Sequence, residues 1–514
     1  MPPSATEEHV AFVADDHTSN ALKASYQQNA FFQWFRLARP RVLRRRNRLL
    51  FLTLRFILWV FSTFLILVPI LAPSYTRPPQ HYRDLSERCA GPNAAAGCAN
   101  PFNEQIFIAI SLYDKEGYLL GGDWGCLLLE LIHIVGESNV FLSIYENDNA
   151  PGGTAALDAF RAKLRCGHEL VHDIHVPLTD FPTVTMPDGS QRLKRLAYLS
   201  ELRNRAMRPL DRWNESVGVF DKVLFLNDVF YNPIDAAQLL FSTNVGPDGR
   251  TRYLASCALD FNNAVLLYDL YATRDTEGYS MGLPIWPMFS TAGAALSRRD
   301  MLAQKDAVRV SSCWSGMVAM QATWVQNHNS SLPSPNFHSL GAHVIDPAQP
   351  SKNVTAPVRF RYEPEIFVDA CECCLFLADV AAVARRAGAR ETGIYFNPYV
   401  RVAYKRSMLR WVSVAQRWER LFELPQGILS WLAGLPTHNP HRMVKEGESF
   451  VEEVWVEDRG TKSGATWSLI QRQARNGMFC EVREMQVVTM GERNGDVNWE
   501  NVPIPAGQAY YFPT

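Results

Sequence analysis

The chain has 514 residues and a formal net charge of −1, and 47% of its residues are hydrophobic and 11% aromatic. This apolar content is ample for a globular core, in one large domain or two ordinary ones. The near-neutral charge argues against nucleic acid as a partner, because the one basic block lies beside an apolar run near the amino terminus.

The amino-terminal segment has the pattern of a membrane anchor. Residues 36–48 contain seven arginines and no acidic residue, and residues 49–72 are apolar apart from four side chains. A helix of that length reaches about 36 Å, enough to cross about 30 Å of hydrocarbon. A secretory signal peptide is the alternative, but its apolar core is usually shorter and closer to the start of the chain. The arginines predict a cytosolic amino terminus and a luminal chain after the anchor.

Three N-glycosylation sequons lie on the predicted luminal side, at Asn214, Asn329 and Asn353. We expect glycans on these asparagines, because oligosaccharide transfer to such sequons takes place in the secretory pathway. Sequons also arise by chance, so their location gives mild support to the topology.

The ten cysteines are expected to have structural or disulfide roles, which a secretory compartment permits. Cys89 and Cys98 bracket a loop rich in glycine, proline and alanine, and a bond between them would close a small ring. Cys371, Cys373 and Cys374 suggest a metal site, but zinc sites usually need a second ligand pair at regular spacing, and none is nearby.

Composition divides the chain into five segments. Several prolines and glycines after the anchor are typical of a linker, and alternating strand and helix patterns begin soon after it. The segments are a cytosolic basic tail at 1–48, a transmembrane signal anchor at 49–72, a stem at 73–103, a catalytic domain at 104–425 and a C-terminal extension at 426–514, expected to pack on the catalytic domain.

The region after residue 105 alternates continuous apolar runs with helical patterns about every 30 residues. Apolar runs of this kind indicate strands buried on both faces, so the pattern predicts an α/β fold with a mostly parallel, twisted sheet. Predicted strands lie at 106–110, 140–145, 170–176, 223–226 and 253–259, and predicted helices at 123–135, 153–166 and 192–207.

Ligands of such sheets bind beyond the carboxyl ends of the strands, where polar residues follow three of the predicted strands. These residues lie at 113–122, 146–148 and 227–228. We expect Glu146, at the end of the second strand, to contact a nucleotide sugar.

Asn227 and Asp228 are the strongest candidates at that edge. A carboxylate delivered there could hold a divalent cation that neutralises a diphosphate leaving group. The pair resembles the Asp-x-Asp motif of nucleotide-sugar glycosyltransferases only in part, because Leu226 and Phe230 stand two residues either side. The alternative is an aspartate that caps a turn before the helix near Pro233.

Further candidates are spread along the chain. Arg203 and Asn204 are expected near the start of a loop that leads into a strand, where a guanidinium could hold phosphate oxygens, although a solvated basic face is the alternative. Asp260 follows a predicted strand and suits recognition of sugar hydroxyls, or is an ordinary loop aspartate. Trp314, beside Gly316, could stack on an acceptor sugar, or belong to the core.

Seven segments in order resemble one known family. They are VFLSIYEN (140–147), YLSELRN (198–204), VLFLNDV (223–229), CALDF (257–261), CWSGMVA (313–319), ECCL (372–375) and FNPYVRVAY (396–404). On these segments the chain resembles the fungal capsule-associated mannosyltransferases, the cryptococcal α-1,3-mannosyltransferase family. The resemblance spans about residues 105–405 and includes the family's layout of one anchor followed by a stem.

The resemblance implies a GT-A-like nucleotide-diphospho-sugar transferase fold in the Golgi or ER membrane. It implies transfer of mannose from GDP-mannose to a mannose-containing acceptor glycan, α-1,3 with retention, and dependence on Mn²⁺ or Mg²⁺. Glu372 matches the family's Glu-Cys-Cys segment, and Asp379 matches an acid a few residues on, assigned here to acceptor binding. Relatives tend to have a histidine before that acid, whereas this chain has Ala378, which weakens the expectation of a metal.

A mechanism follows as a hypothesis. Arg203 and a cation on Asp228 would stabilise the charge on the departing phosphate, and Asp260 and Glu372 would orient donor and acceptor hydroxyls. The acceptor would attack from the leaving-group side, although sequence does not separate this route from a covalent intermediate. The alternatives are another donor, such as UDP-xylose or UDP-galactose, and a catalytically inactive glycan-binding subunit of a homo- or hetero-oligomeric mannan-synthesising complex.

Overall fold

The computed structural model describes residues 41–91, 94–147, 150–173, 178, 181–212, 218–327, 354–389, 393–456, 466–490 and 497–506. The sequon residues Asn214, Asn329 and Asn353 lie outside this part of the chain, as does Asp148 from the predicted strand end. The chain divides into two compact units, Met1–Leu67 and Val68–Thr514.

An apolar helix, α1 (Arg41–Leu71), contains the predicted anchor. Its segment Arg48–Leu71 has 24 residues and a mean hydropathy of 2.3, so by length and composition it can cross a membrane. The side chains of Arg48–Leu71 are not buried against protein, and the hydroxyls of Thr53 and Thr63 donate to carbonyls four residues earlier. A signal sequence can have the same properties, so the anchor role stays a prediction.

The second unit alternates strands and helices along most of its length. Its helices are α2 (Gln80–Arg88), α3 (Asp123–Val135), α4 (Pro151–Arg161), α5 (Arg195–Met207), α6 (Pro233–Phe241), α7 (Leu296–Leu302), α8 (Glu372–Arg386), α9 (Arg406–Ala415) and α10 (Glu423–Leu432). Its strands are β1 (Ile106–Leu112), β2 (Val140–Asn147), β3 (Gly167–Asp173), β4 (Val184–Thr185), β5 (Gln191–Arg192), β6 (Lys222–Leu226), β7 (Ala255–Phe261), β8 (Val308–Val310), β9 (Met317–Gln321), β10 (Asp369–Ala370), β11 (Ile394–Ala403), β12 (Ser449–Val456), β13 (Thr466–Gln473), β14 (Glu481–Val482), β15 (Gln486–Met490) and β16 (Val497–Asn501).

An eight-stranded sheet in the order β3-β2-β1-β6-β9-β7-β11-β8 forms the centre of this unit. The strands β3, β2, β1 and β6 pair in parallel, and so do β7 and β11. Two strands run the other way: β9 lies between β6 and β7, and β8 pairs with β11 at the edge. The prediction of an α/β fold with a mostly parallel sheet is therefore confirmed.

The core lies on both faces of this sheet, as the continuous apolar runs require. In β1, Phe107 and Ala109 belong to one buried cluster, whereas Ile106, Ile108 and Ile110 belong to the other. Helix α8 packs in the first cluster, and helices α3 and α6 pack in the second. Alternate residues of one strand thus face two layers of helices, and the sheet is buried between them.

Several predicted boundaries differ from the structure for local reasons. Helix α4 starts at Pro151, a residue suited to the first helical turn, and ends at Arg161, before the predicted end. Strand β3 starts earlier than predicted and is largely exposed, because it lies at the sheet edge. Helix α5 begins at Arg195 instead of residue 192, because Gln191–Arg192 pairs with β4.

Three disulfides cross-link the second unit. Cys89 bonds to Cys98, which confirms the predicted small ring. The others join Cys257 to Cys313 and Cys374 to Cys480, so Cys374 has the expected structural role. The last bond and the pairing of β10 with β14 tie the predicted C-terminal extension to the rest of the unit. The domain boundaries themselves stay predictions.

Candidate active site

A cleft lies at the edge where the parallel strands of the sheet end. It consists of two adjoining cavities, of about 440 Å³ and about 620 Å³, that have Arg195, Leu199, Arg203 and Asn227 in common. Of the residues predicted from sequence, Asp228 lines the smaller cavity and Asp260, Trp314 and Glu372 line the larger one, whereas Arg203 and Asn227 line both. The structure therefore brings six of the predicted site residues to one cleft.

Arg203 lies between the two cavities. Its Nε donates to Glu372 Oε1 at 3.0 Å, its Nη1 lies 3.5 Å from Asn227 Oδ1, and its guanidinium lies 5.1 Å from the centroid of the Trp314 ring. The residue belongs to the second half of helix α5, so its expected place in a loop was wrong. A guanidinium with a carboxylate on one side and an aromatic face on another has a fixed direction into the cleft.

Asp228 follows β6 and is open to solvent in the smaller cavity. The surrounding cleft still desolvates its carboxylate, which raises its pKa, while the Arg203 guanidinium works in the opposite direction. The turn before helix α6 is capped instead by Asn232, whose side chain accepts a 2.9 Å bond from the Ile234 backbone N–H. The alternative role of Asp228 as that cap is therefore wrong.

Asp260 and Asp269 form a pair of acids in the larger cavity. Asp260 Oδ1 accepts from the Asp269 backbone N–H at 3.1 Å, and its Oδ2 accepts from the Tyr404 hydroxyl at 3.1 Å. Burial and the nearby Asp269 raise the pKa of Asp260 to about 7. Asp269 accepts from the backbone N–H groups of Ala272 and Ser315 at 3.0 and 2.8 Å, which fixes its carboxylate in the cleft.

Glu372 belongs to a compact group with two free thiols. Its carboxylate and the sulfurs of Cys371 and Cys373 lie within 4.8 Å of one another and line the larger cavity. Burial raises the pKa of the Cys373 thiol well above its usual value, which keeps it protonated. Thiols and a carboxylate already paired with a guanidinium are poor ligands for Mn²⁺ or Mg²⁺, which prefer oxygen.

The donor set around Asp228 fits such an ion better. Asp228 offers carboxylate oxygens that are open to the cleft, and the amide oxygen of Asn227 lies on the neighbouring residue. Because burial disfavours the charge on Asp228, a bound cation would stabilise the ionised carboxylate. The residues present therefore fit a hard divalent cation.

Glu146 lies at the end of β2 but does not line either cavity. Its side chain is fully buried, and burial together with the nearby Asp114 raises its pKa to about 7. The next residue, Asn147, lines the smaller cavity instead, and its Nδ2 donates to the Tyr198 hydroxyl at 2.6 Å. Since successive strand residues point to opposite faces, the expected position was shifted by one residue.

Asn204 and Asp379 also lie away from the cleft lining. The Asn204 side chain donates to the carbonyl and accepts from the N–H of Phe360, at 2.8 and 2.9 Å. Asp379 is buried and accepts from Arg361 at 2.6 and 3.0 Å and from the Asn476 amide at 2.9 Å. In this structure the two side chains hold distant segments together, so neither polar group faces the cleft.

Trp314 is buried except for the part that lines the larger cavity. Its ring packs against Phe225 and Phe360, with centroids 5.2 and 5.4 Å away. Gly316, two residues on, has a φ of +71°, and a Cβ there would lie 2.6 Å from a methyl group of Val229. Only glycine fits this close approach, so it fixes the path of the loop that carries Trp314.

The C-terminal hairpin β15–β16 supplies lining that sequence did not predict. The ring centroid of Trp499 lies 4.2 Å from the Arg195 guanidinium, and Arg195 Nη1 donates to Gln486 Oε1 at 2.7 Å. Trp499 lines the smaller cavity together with Val488, and Gln486 lines the larger one. Together with Asp269 and Tyr404, these residues complete the cleft.

Comparison with known proteins gives one family match. The family model described as Cryptococcal mannosyltransferase 1 matches residues 105–379, which is more than half of the chain. These residues include every strand from β1 to β10 and most of the cleft. No curated protein matches the chain.

Two solved structures resemble the chain weakly. One is the mannosyltransferase PcManGT from Pyrobaculum calidifontis in complex with GDP-Man and Mn²⁺, at 10% identity and a TM-score of 0.29, covering 73% of this chain and 74% of that one. The other is S. aureus TarS 1-349, at 9% identity and a TM-score of 0.27, covering 60% and 65%. These sequence identities and TM-scores are too low to support a statement about the function of this chain.

Proposed function

The chain belongs to the Cryptococcal mannosyltransferase 1 family, and we propose that it transfers mannose from GDP-mannose to a mannose-containing glycan, forming an α-1,3 linkage with retention. Membership of this family supports glycosyl transfer as the reaction. The donor, the linkage and the stereochemistry are our proposal. The observation that carries it is the divided cleft: the Arg203 guanidinium lies between the two cavities, the open carboxylate of Asp228 lines the smaller one, and Asp260 and Asp269 line the larger one.

The two cavities suit the two halves of a nucleotide sugar. The smaller cavity, with Tyr113, Leu202 and Trp499 among its lining, offers aromatic and aliphatic surface for a nucleobase. The larger cavity, where Asp260 supports Asp269, offers the Asp269 carboxylate to accept hydrogen bonds from sugar hydroxyls. The diphosphate would then lie between them.

Arg203 and Asp228 lie where that diphosphate would be. The Arg203 guanidinium would donate to phosphate oxygens as negative charge develops on the departing GDP. Its bond to Glu372 fixes its direction, so Glu372 acts in this proposal as a positioning residue. Asp228, with Asn227 beside it, would hold Mn²⁺ or Mg²⁺, which when bound neutralises diphosphate charge.

The acids of the larger cavity would hold the sugars. Asp269 would accept from donor or acceptor hydroxyls, because two backbone N–H groups already fix its carboxylate. Asp260 supports it from behind through the Asp269 backbone N–H and the Tyr404 hydroxyl. The acceptor oxygen would attack from the side of the leaving group, and its proton would pass to the departing phosphate.

A type II membrane topology, with the catalytic cleft on the luminal side of the Golgi or ER, completes the proposal. It is supported by the length and apolar composition of α1 and by the arginines that precede it. Three disulfides in the second unit fit an oxidising compartment.

Transfer assays on the full chain in detergent micelles test this function. We expect mannosyl transfer to mannobiose from GDP-mannose, and none from UDP-galactose or UDP-xylose. We expect Asp228→Ala to abolish transfer, and Asp248→Ala, at an exposed aspartate outside the cleft, to have no effect. Transfer from a UDP-sugar alone would refute the donor, whereas an active Asp228→Ala enzyme would remove only this residue from the mechanism.

A further inference from the structure

Beyond its first residue, Glu423, helix α10 exposes apolar side chains and buries polar ones. Leu424, Ile428 and Trp431 are 72%, 50% and 77% exposed, whereas Gln426 and Ser430 are almost completely buried. The spacing of the exposed residues places them on one side of the helix, which we call the outward face, together with Leu432. A helix at a water-exposed surface has the opposite arrangement.

The buried polar contacts fix this orientation. The Gln426 side chain accepts from Arg298 Nη1 at 2.6 Å and donates to the Met288 carbonyl at 3.1 Å. The Ser430 hydroxyl oxygen accepts from the Leu283 backbone N–H at 2.8 Å. Rotating α10 to bury its apolar side would break these bonds and leave buried polar groups unsatisfied. The outward face is therefore a stable feature of the fold.

Helix α9 also exposes apolar side chains, and both α9 and α10 contact the segment that joins them. Trp411 and Val414 are exposed there, whereas Val412 is buried against the body of the protein. Residues 405–423, which include α9 and the start of α10, contain five basic and two acidic residues. Glu419 is already paired with Arg401, and Arg406 is paired with Asp123. The remaining basic residues, Lys405, Arg410, Arg417 and Arg420, still outnumber the remaining acid, Glu423.

The chain reaches this surface just after the apolar helix ends. Tyr75, four residues after Leu71, is buried, and its hydroxyl donates to the Met301 carbonyl at 3.1 Å. The Tyr75 carbonyl accepts a 3.2 Å bond from Gln416, the residue that directly follows α9. Four residues span at most about 14 Å even when fully extended. The last residue of α1 therefore lies within that distance of Tyr75.

We propose that α9 and the outward face of α10 lie in the headgroup region of the bilayer that α1 crosses. Tryptophan and leucine on one face with arginine nearby are the composition of an interfacial helix, and the positive charge favours anionic lipid. This contact would hold the catalytic unit against the membrane. It rests on the membrane topology proposed above.

Photo-crosslinking of the full chain in vesicles of phosphatidylcholine and phosphatidylserine tests the contact. The variants are Leu424→p-benzoylphenylalanine and Trp431→p-benzoylphenylalanine. Leu469→p-benzoylphenylalanine, at a position that is 74% exposed on β13, is the matched control. We expect lipid adducts at 424 and 431 and none at 469, with lower yields at 424 and 431 in vesicles that lack phosphatidylserine.

Leu58→p-benzoylphenylalanine in α1 reports the anchor separately. A lipid adduct at 58 without adducts at 424 and 431 would overturn the surface contact and leave the topology intact. The absence of an adduct at 58 would refute the topology and with it the contact. Adducts of 424 or 431 with a second copy of the chain would assign the outward face to an oligomer instead. Mannosyl transfer and near-ultraviolet circular dichroism, measured on each variant, confirm that it is folded.

Discussion

Arg203 makes the contacts that join the two halves of the cleft. Its guanidinium donates to Glu372, lies near the Asn227 side chain and lies over the Trp314 ring. Each of these groups comes from a different part of the chain, so the direction of the guanidinium depends on the whole fold. A lysine has one charged centre and no planar fork, and it would not maintain these contacts together with a phosphate.

We expect Arg203→Lys to lower kcat for mannosyl transfer about 100-fold, with a smaller change in KM, because one charge-stabilising donor at the departing phosphate is lost. Initial rates over a range of GDP-mannose concentrations measure both constants. Arg208→Lys, one turn further on and half exposed, is the control and should keep wild-type rates. An unchanged kcat in Arg203→Lys would show that the guanidinium does not act on the leaving group.

The raised pKa of Asp260 predicts that the stability of the folded protein depends on pH. Burial and Asp269 raise the folded-state pKa of Asp260 to about 7, above its unfolded value near 4. Between these values the folded state keeps a proton that the unfolded state loses, so this residue costs stability as pH rises from about 4 to about 7. Asp260→Asn removes the titration and can still accept at the Asp269 N–H.

We therefore expect the melting temperature of Asp260→Asn to rise relative to the wild type between pH 4 and pH 7. Thermal melts of the two proteins in the same detergent at each pH measure the difference, which cancels the contributions of acids that do not interact with Asp260. Asp248→Asn, at an exposed carboxylate, should show no such trend. A constant difference across this range would contradict the raised pKa.

Among the elements, the continuous apolar strands were predictable and the direction of β9 was not. Strands such as β1 and β6 are buried on both faces, so their sequences are apolar throughout, whatever their direction. The run that forms β9 is equally apolar, and nothing in it specifies antiparallel pairing with β6 and β7. Direction is set by the connections, which span long distances along the chain.

The residues of the cleft likewise include some that the sequence predicts and some that it does not. Asp228 and Arg203 were found because one follows an apolar run and the other belongs to an unusually basic helix. Asp269 and Tyr404 were missed because their place in the cleft depends on pairing with distant groups. Trp499 reaches the cleft only through the C-terminal hairpin, and no local pattern marks it. Sequence thus predicts the residues that local structure delivers, and misses those delivered by tertiary contacts.

In the loop before β9, the backbone conformation and packing at Gly316 predict that any side chain at this position destabilises the protein. Alanine there would combine a positive φ with a Cβ 2.6 Å from Val229. We expect Gly316→Ala to destabilise the protein by about 1–3 kcal/mol and to lower its melting temperature. Gly388→Ala, with a φ of +80° but open space around it, isolates the backbone cost and should have a smaller effect. Equal shifts in the two variants would exclude the clash with Val229.

In the molecule as a whole, the last hundred residues take part in the cleft. The disulfide between Cys374 and Cys480 closes a long loop, and β14 pairs with β10 beside Glu372. Hairpin β15–β16 then lies over helix α5, where Trp499 meets Arg195. The region after the family match therefore shapes the cavity proposed for the nucleobase, and the proposed site extends beyond the matched residues.

This arrangement predicts that Trp499→Ala raises KM for GDP-mannose about 10-fold and changes kcat little. The reason is that the ring forms a wall of the nucleobase cavity and stacking contributes about 1 kcal/mol or more, without touching the reacting atoms. Trp499→Phe should restore most of the affinity, and Leu469→Ala on the exposed hairpin β12–β13 should change neither constant. Steady-state kinetics with the donor and the acceptor varied in turn separate the outcomes. A rise in KM for the acceptor alone would indicate that this cavity binds the glycan acceptor and that the nucleobase binds elsewhere.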